Sequence, residues 1–87
     1  MAEENQAWVY IAIGMNIWGK APTMLKALEN ASEQDSRKSE FILYHCHPKT
    51  SISEMGGLCY PEGEHPTTLC KAEKTGKRFY IKELNSF

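Results

Sequence analysis

Residues 7–13 read Ala-Trp-Val-Tyr-Ile-Ala-Ile, an almost unbroken apolar run that is rich in aromatic and β-branched side chains. Such a run is typical of a strand that is buried on both faces of a sheet. Gly14 closes the run well short of the length of a helix. Residues 15–20 then predict a connection, in which Gly14 and Gly19 give the backbone conformational freedom. We expect the rest of the fold to be arranged around this first strand.

A helix is predicted directly after the connection. Thr23 can accept hydrogen bonds from the free N–H groups of a first helical turn, and Pro22 before it cannot continue a strand. The apolar side chains that follow recur at helical spacing, with polar side chains on the other side. They are Met24, Leu25, Leu28 and Ala31. This pattern predicts a one-sided helix of about three turns, packed on the first strand.

Four further strands are predicted in the second half of the chain. They cover residues 40–47, 58–60, 67–72 and 77–83. Pro48 stops the first of them, and the last two form a hairpin with Gly76 at a position of positive φ. The predicted order is β-α-β-β-β-β. The predicted fold class is α+β, with one helix packed on a small and mostly antiparallel sheet.

The composition indicates one small domain. Eighty-seven residues are too few for a second core, so we expect a flexible tail at residues 1–6 and a single domain over residues 7–87. The net charge of −1 argues against a general polyanion binder and against attraction to a membrane. An odd number of cysteines and no export signal indicate free thiols in a reducing cytoplasm. No cofactor-binding motif is present, and we expect no cofactor.

The run His45-Cys46-His47 is the most chemically distinctive stretch of the sequence. Residues two apart share a face of a strand, so His45 and His47 are predicted to project together and could form half of a zinc site. The remaining ligands would come from Cys59, His65 and Cys70. Their spacings match no standard zinc motif, and the favoured interpretation is two imidazoles at a strand end beside small buried thiols.

Catalysis by a thiol is the second interpretation of this run. Cys46 beside two histidines supplies the minimum for a thiol nucleophile. However, neighbouring residues of a strand face in opposite directions, and no orienting group or oxyanion loop can be named. We therefore expect the protein not to be an enzyme.

Nucleic-acid binding is the interpretation that the C-terminal hairpin suggests. Its cationic and aromatic side chains could contact phosphates and stack on bases of a single strand. They are Lys71, Lys74, Lys77, Arg78 and Tyr80. The alternative is an edge hairpin whose lysines prevent pairing with other sheets. Phe79 and Ile81 share a face and are predicted to be core, which leaves Tyr80 outside.

Protein binding is the favoured prediction. Trp18 lies in the predicted connection beside Met15 and Ile17, and such side chains either cap a core or contact a partner. Tyr80 adds an outward aromatic side chain in the last strand. An exposed edge strand would offer a second docking mode, by strand addition from a partner or from another copy of the chain. The predicted anchors are Met15, Ile17, Trp18 and Tyr80.

Residues 8–13, the Trp18-Gly19-Lys20 step and residues 23–28 resemble a layout of small accessory proteins of bacteriophages and mobile elements. The likeness covers residues 7–47 and is architectural: a strand, a Trp-Gly connection, a Thr-capped helix and a return strand. It implies a binder or inhibitor of a host protein and transfers no catalytic or metal-binding residues. The His45-Cys46-His47 run has no counterpart in it.

Overall fold

The computed structural model describes residues 7–82. The elements along the chain are β1 (Val9–Gly14), β2 (Ile17–Ala21), α1 (Met24–Gln34), β3 (Glu40–Cys46), β4 (Ser51–Ile52), β5 (Leu58–Cys59), β6 (Thr67–Thr75) and β7 (Arg78–Lys82). Five strands form one antiparallel sheet in the order β2-β1-β3-β6-β7, and β4 pairs with β5 separately. The predicted α+β class is confirmed, with α1 packed on this sheet. The predicted tail at residues 1–6 lies outside the described residues.

The predicted connection at residues 15–20 contains a strand. β2 pairs with β1 over five positions, and the turn between them consists of Met15 and Asn16. Asn16 takes the left-handed conformation with φ 65°, which Asn tolerates better than most residues. Gly14 and Gly19 both lie within strands and have no positive φ. The prediction of a connection that uses the conformational freedom of these glycines was therefore wrong.

Gly19 is required by the packing of α1 on β2. A Cβ atom at this position would lie 2.4 Å from the carbonyl oxygen of Ala27 and 2.4 Å from the backbone nitrogen of Ala31. Neither backbone atom can move away without shifting the helix, so only glycine permits this approach. The fully buried side chains of Ala27 and Ala31 are small and allow the same approach from the helix side.

The helix begins at the predicted residue, and two of its four predicted core positions, Leu28 and Ala31, are buried. Thr23 is the N-cap, and its Oγ1 accepts a hydrogen bond from the backbone N–H of Lys26 at 3.2 Å. Met24 and Leu25, which were predicted to face the sheet, are exposed. The buried positions are Ala27, Leu28, Ala31 and Ser32. The contact stripe is centred on small residues because the Gly19 contact brings the two backbones close together.

The main core lies between α1 and the sheet. Its buried members are Ala12, Ile17, Ala21, Ala27, Leu28, Ala31, Phe41, Leu43, Cys70 and Ala72. Tyr10 and Phe79 pack against them, and the Phe79 ring lies edge-on to the Phe41 ring with 6.1 Å between centroids. Ile81, which was predicted to be core, is half-exposed. The helix contacts β1 and β2, so its cover does not extend to β7.

The outer face is defined here as the side of the sheet opposite α1. Ile11 lies on this face opposite Lys20 and is nonetheless fully buried. Lys20 explains this burial, because its Nζ donates hydrogen bonds to the carbonyl oxygens of Pro48 at 2.5 Å and Thr50 at 2.8 Å. These bonds hold the segment after β3 across one half of the outer face. The other half, next to the β1–β2 turn, stays partly exposed.

The β6–β7 hairpin turns at Gly76 and Lys77. Gly76 has φ 65° and occupies the first turn position, as type II′ hairpin turns require. The predicted positive φ at Gly76 is confirmed, although β6 runs to Thr75 and not to residue 72. No helix within residues 7–82 has the length and apolar character needed to cross a membrane.

Candidate functional site

One row of side chains crosses the whole outer face. The strand register places Trp18, Ile13, Ile42, Lys71 and Lys82 opposite one another in turn, from β2 to β7. Directly opposed residues of antiparallel strands share a face, so these five side chains form one stripe, called the outer row. The outer row is apolar on β2, β1 and β3 and cationic on β6 and β7.

A concavity of about 500 Å³ follows the outer row from Ile13 on β1 to Lys82 on β7. Ile13, Ile42 and Met15 give it an apolar floor at the β1–β2 turn. Its other end is charged and is lined by Glu40, Lys71, Glu73 and Lys82. Protein–protein interfaces likewise combine an apolar part with a polar part.

The predicted protein-binding anchors differ in the fraction of their surface that is exposed to solvent. Met15 is 70% exposed, Tyr80 is 49% exposed and Trp18 is 38% exposed. Trp18 and Tyr80 both lie on the outer face, at opposite edges of the sheet. Ile17 is 5% exposed and belongs to the core, because successive residues of a strand point to opposite faces. Ile17 is therefore not available as a surface anchor.

A second concavity, of about 590 Å³, separates Trp18 from the segment that contains β4. Ile52 and Met55 line it from that segment, and Met55 is 93% exposed. Met55 is not among the predicted anchors, although a large apolar side chain beside the turn residues Gly56 and Gly57 is a usable sequence signal. Trp18 thus belongs to an apolar surface that extends from β2 to Ile52 and Met55.

The charges of the outer face are partly paired. The Nζ of Lys82 lies 3.0 Å from Oε1 of Glu73. Glu40 on β3 lies opposite Glu73 on β6, and Lys71 lies opposite Lys82. Acidic and basic side chains therefore occupy neighbouring rows, and the field over this face is mixed in sign.

The residues predicted to bind nucleic acid do not share one face. The strand register assigns three of them to the outer face, namely Lys71, Arg78 and Tyr80. Lys77 is in the turn, and Lys74 lies on the helix side, where its Nζ donates to Oγ of Ser32 at 2.9 Å. Glu73 stands directly opposite Tyr80. A nucleic acid that contacted Lys71 and Arg78 and stacked on Tyr80 would therefore meet the carboxylate of Glu73.

His45 and His47 project together, as predicted, and both rings flank Trp8. The ring centroids lie 5.6 Å apart for Trp8 and His45 and 6.2 Å apart for Trp8 and His47, and Tyr10 stacks on His45 at 4.8 Å. Nδ1 of His47 accepts the backbone N–H of Lys49 at 3.0 Å. This contact occupies the lone pair of Nδ1, so ligation of a metal through Nδ1 would break it.

The other residues predicted as metal ligands do not complete a site. Cys70 is buried in the core, Cys59 is exposed on β5, and Nδ1 of His65 lies 3.2 Å from the hydroxyl oxygen of Tyr60. Within residues 7–82, no three His, Cys, Asp or Glu side chains come together in an arrangement that could hold a metal ion.

The three thiols are free, and two of them are buried. The Cys46 thiol donates to the carbonyl oxygen of Val9 at 3.7 Å. Burial raises the pKa of the Cys46 thiol, against opposing contributions from Lys20 and Thr50, and burial also raises the pKa of the Cys70 thiol. A nucleophilic cysteine needs a lowered pKa, so Cys46 has the opposite of the environment that catalysis requires.

The two edges of the sheet differ. At the β2 edge, Gln34 binds both the N–H and the carbonyl of Trp18, and Nδ2 of Asn30 donates to the carbonyl of Lys20 at 3.3 Å. Side chains of α1 thus take the place of a neighbouring strand. At the other edge, β7 pairs with β6 on one side only, and no strand within residues 7–82 pairs with its opposite side. β7 is therefore the edge that offers a backbone ladder to another chain.

Comparisons of the chain with models of protein families, with curated proteins and with solved structures found no match.

Proposed function

We propose that this protein is a small non-catalytic binding protein of the cytoplasm, and that its partner is another protein. The single observation that supports this most is the outer face. Met15, Ile13 and Ile42 form an apolar floor there, and charged residues line the other end of the same concavity. Trp18 and Tyr80 are exposed at the two edges of this face. Trp and Tyr side chains are enriched in interface hot spots, and Met is enriched at binding surfaces. The free thiols are compatible with a reducing compartment.

Trp18 is the proposed central anchor. It lies at the apolar end of the outer row and lines the second concavity described above. A partner side chain that enters the second concavity would be desolvated against the indole ring, while the charges at the other end of the outer row orient the complex. The architectural resemblance of residues 7–47 supports a more specific role, an accessory or inhibitor protein of the phage type that acts on a host protein.

The test is capture of proteins from an extract of the source organism, followed by affinity measurements with the isolated partner. Trp18→Ala is expected to weaken binding by about thirtyfold, since truncation of a central aromatic anchor typically costs about 2 kcal/mol. Leu25→Ala is the matched control, because Leu25 is an exposed apolar residue on α1, away from the outer face. Melting temperatures separate lost affinity from lost stability.

A nucleic-acid partner would give a different result. Lys77→Ala and Arg78→Ala would then reduce affinity more than Trp18→Ala, and binding would weaken steeply with added salt. A complex that survives added salt and both cationic substitutions, but not Trp18→Ala, supports the protein partner. The reverse pattern would refute it.

A further inference from the structure

The backbone groups at the open β7 edge can be identified from the register. Thr75 and Arg78 close a two-residue hairpin and form a hydrogen-bonded pair, so the next pair, Lys74 and Phe79, is not hydrogen-bonded across β6 and β7. An independent bond supports this alternation, because the N–H of Lys74 donates to the carbonyl of Ser39, away from β7. The N–H and carbonyl groups of Phe79 and Ile81 consequently point to the open edge.

The side chains of β7 divide by charge between the two faces. Arg78, Tyr80 and Lys82 lie on the outer face, and the carboxylate of Glu73 contacts Lys82 there. Phe79 and Ile81 lie on the helix side, where Ile81 is 51% exposed because α1 does not reach it. A strand added here would meet two cations on one face and an apolar strip on the other.

A second copy of the chain does not suit this edge. In the antiparallel register that overlaps the whole of β7, a twofold axis at Tyr80 would place Arg78 of each copy opposite Lys82 of the other. Like charges that are directly opposed across strands are destabilising. Pairing through β2 is blocked by the bonds from Gln34 and Asn30 to its outer edge. The chemistry of the β7 edge favours an acidic strand instead.

We propose that β7 binds an extended acidic segment of the protein partner by strand addition, with carboxylates opposite Arg78 and Lys82 and apolar side chains over Phe79 and Ile81. Hydrogen bonds to the backbone of Phe79 and Ile81 would give affinity, and the two faces would select alternating acidic and apolar residues. This inference rests on the proposed function. It assumes that a protein partner binds the outer face, and it specifies the chemistry of the partner segment that would bind at β7, the edge opposite Trp18.

The probe is a capped peptide, Thr-Glu-Val-Thr-Val-Glu-Thr, whose sequence is symmetric and therefore suits either strand direction. It is titrated into the ¹⁵N-labelled full chain and compared with a peptide that has Lys in place of both Glu residues. We expect the largest shifts, and slowed amide exchange, at Phe79 and Ile81. The Lys peptide should bind at least about tenfold more weakly, and binding of the Glu peptide should weaken with salt.

Two variants separate the backbone from the side chain. Ile81→Pro removes the outward N–H, and proline is tolerated on an edge strand. It should reduce affinity by about tenfold or more, whereas Ile81→Ala keeps the N–H and should reduce it only about threefold. If Ile81→Pro does not fold, amide exchange at Phe79 and Ile81 of the unaltered chain gives the answer by itself.

Four outcomes would overturn the proposal. They are equal binding of both peptides, shifts centred on Trp18, protection of the β7 edge by self-association without peptide, and tighter binding of a thymidine oligonucleotide at the same residues. If the peptide fails but a captured protein partner still depends on Trp18, strand addition alone is refuted and the proposed function stands.

Discussion

Gln34 and Trp18 form a two-point contact in which a side chain replaces a strand. The N–H of Trp18 donates to Oε1 of Gln34 at 3.2 Å, and Nε2 of Gln34 donates back to the carbonyl of Trp18. A hydrogen-bonded residue pair of an antiparallel ladder makes the same two bonds. Because Gln34 is the last residue of α1, the helix that covers the core also closes one edge of the sheet.

Gln34→Ala should therefore have two effects. It should lower the free energy of unfolding by about 1 kcal/mol, since the two lost bonds are partly exposed to water. It should also cause association at high protein concentration, because the freed edge can pair with another chain. Urea denaturation and sedimentation measure these effects. Glu33→Ala, at the exposed neighbouring position, is the control, and equal behaviour of the two variants would contradict the assignment.

Gly19→Ala should destabilise the protein severely. The added Cβ would lie 2.4 Å from backbone atoms of Ala27 and Ala31, so the helix would have to move off β2. We expect a loss of about 3 kcal/mol or more, or failure to fold. Gly57→Ala is the matched control, because its new Cβ would meet only Oγ of Ser53 at 3.6 Å. Similar melting temperatures for the two variants would show that α1 does not depend on this close approach.

Leu28→Ala and Leu25→Ala should separate the two sides of α1. Leu28 is 1% exposed in the core, so its truncation should lower the free energy of unfolding by about 2–5 kcal/mol. Leu25 is 56% exposed, and its truncation should change stability by less than about 0.5 kcal/mol. Chemical denaturation of both variants measures the difference. A large effect at Leu25 would instead support the wider apolar side that the sequence pattern predicted.

The sequence pattern predicted most elements from local chemistry. The apolar run of β1, the cap at Thr23 and the turn at Gly76 each carry a local signal. The strand β2 carries no such local signal, because Gly19 is unfavourable in a strand. Only the packing of α1 on β2 explains why glycine stands there. The contact between Gln34 and Trp18 joins residues sixteen positions apart, and no local pattern encodes it.

The candidate site shows the same limit. The sequence predicts Trp18 and Tyr80 as anchors, but their common face follows from the register of four strand pairs. Ile17 beside Trp18 was misplaced for the same reason, since a strand sends neighbouring side chains to opposite faces and a loop does not. The assignment of β2 as a strand decides which of these residues a partner can reach.

The cysteines should differ sharply in reactivity. An aromatic disulfide reagent should modify Cys59 rapidly in the native protein, whereas Cys46 and Cys70 should react only after unfolding in urea. Burial keeps the latter two as neutral thiols, and the thiolate is the reactive species. Mass spectrometry of the labelled peptides identifies the sites. Rapid labelling of Cys46 in the native protein would contradict its burial and would support the hypothesis that Cys46 is a thiol nucleophile.

The raised thiol pKa values also set the sign of a pH effect. The folded pKa of Cys46 and Cys70 lies above the ordinary value of 9.0, so their contribution to stability is complete below that pH. It is lost as the pH rises through the folded pKa, because the unfolded chain releases these protons first. In Cys46→Ala, the free energy of unfolding should therefore fall less steeply above pH 9.0 than in the parent protein. An equal slope in both proteins would contradict this.

Zinc should not bind stoichiometrically near neutral pH. Ligation through Nδ1 of His47 would break the bond from the N–H of Lys49, and His45 is stacked against Tyr10. We expect zinc titration to leave the melting temperature unchanged, and His47→Ala to behave like the parent protein toward zinc. A structural zinc would raise the melting temperature strongly, since its binding free energy becomes folding free energy. A zinc-dependent increase that His47→Ala abolishes would refute this prediction and would place a metal beside Trp8.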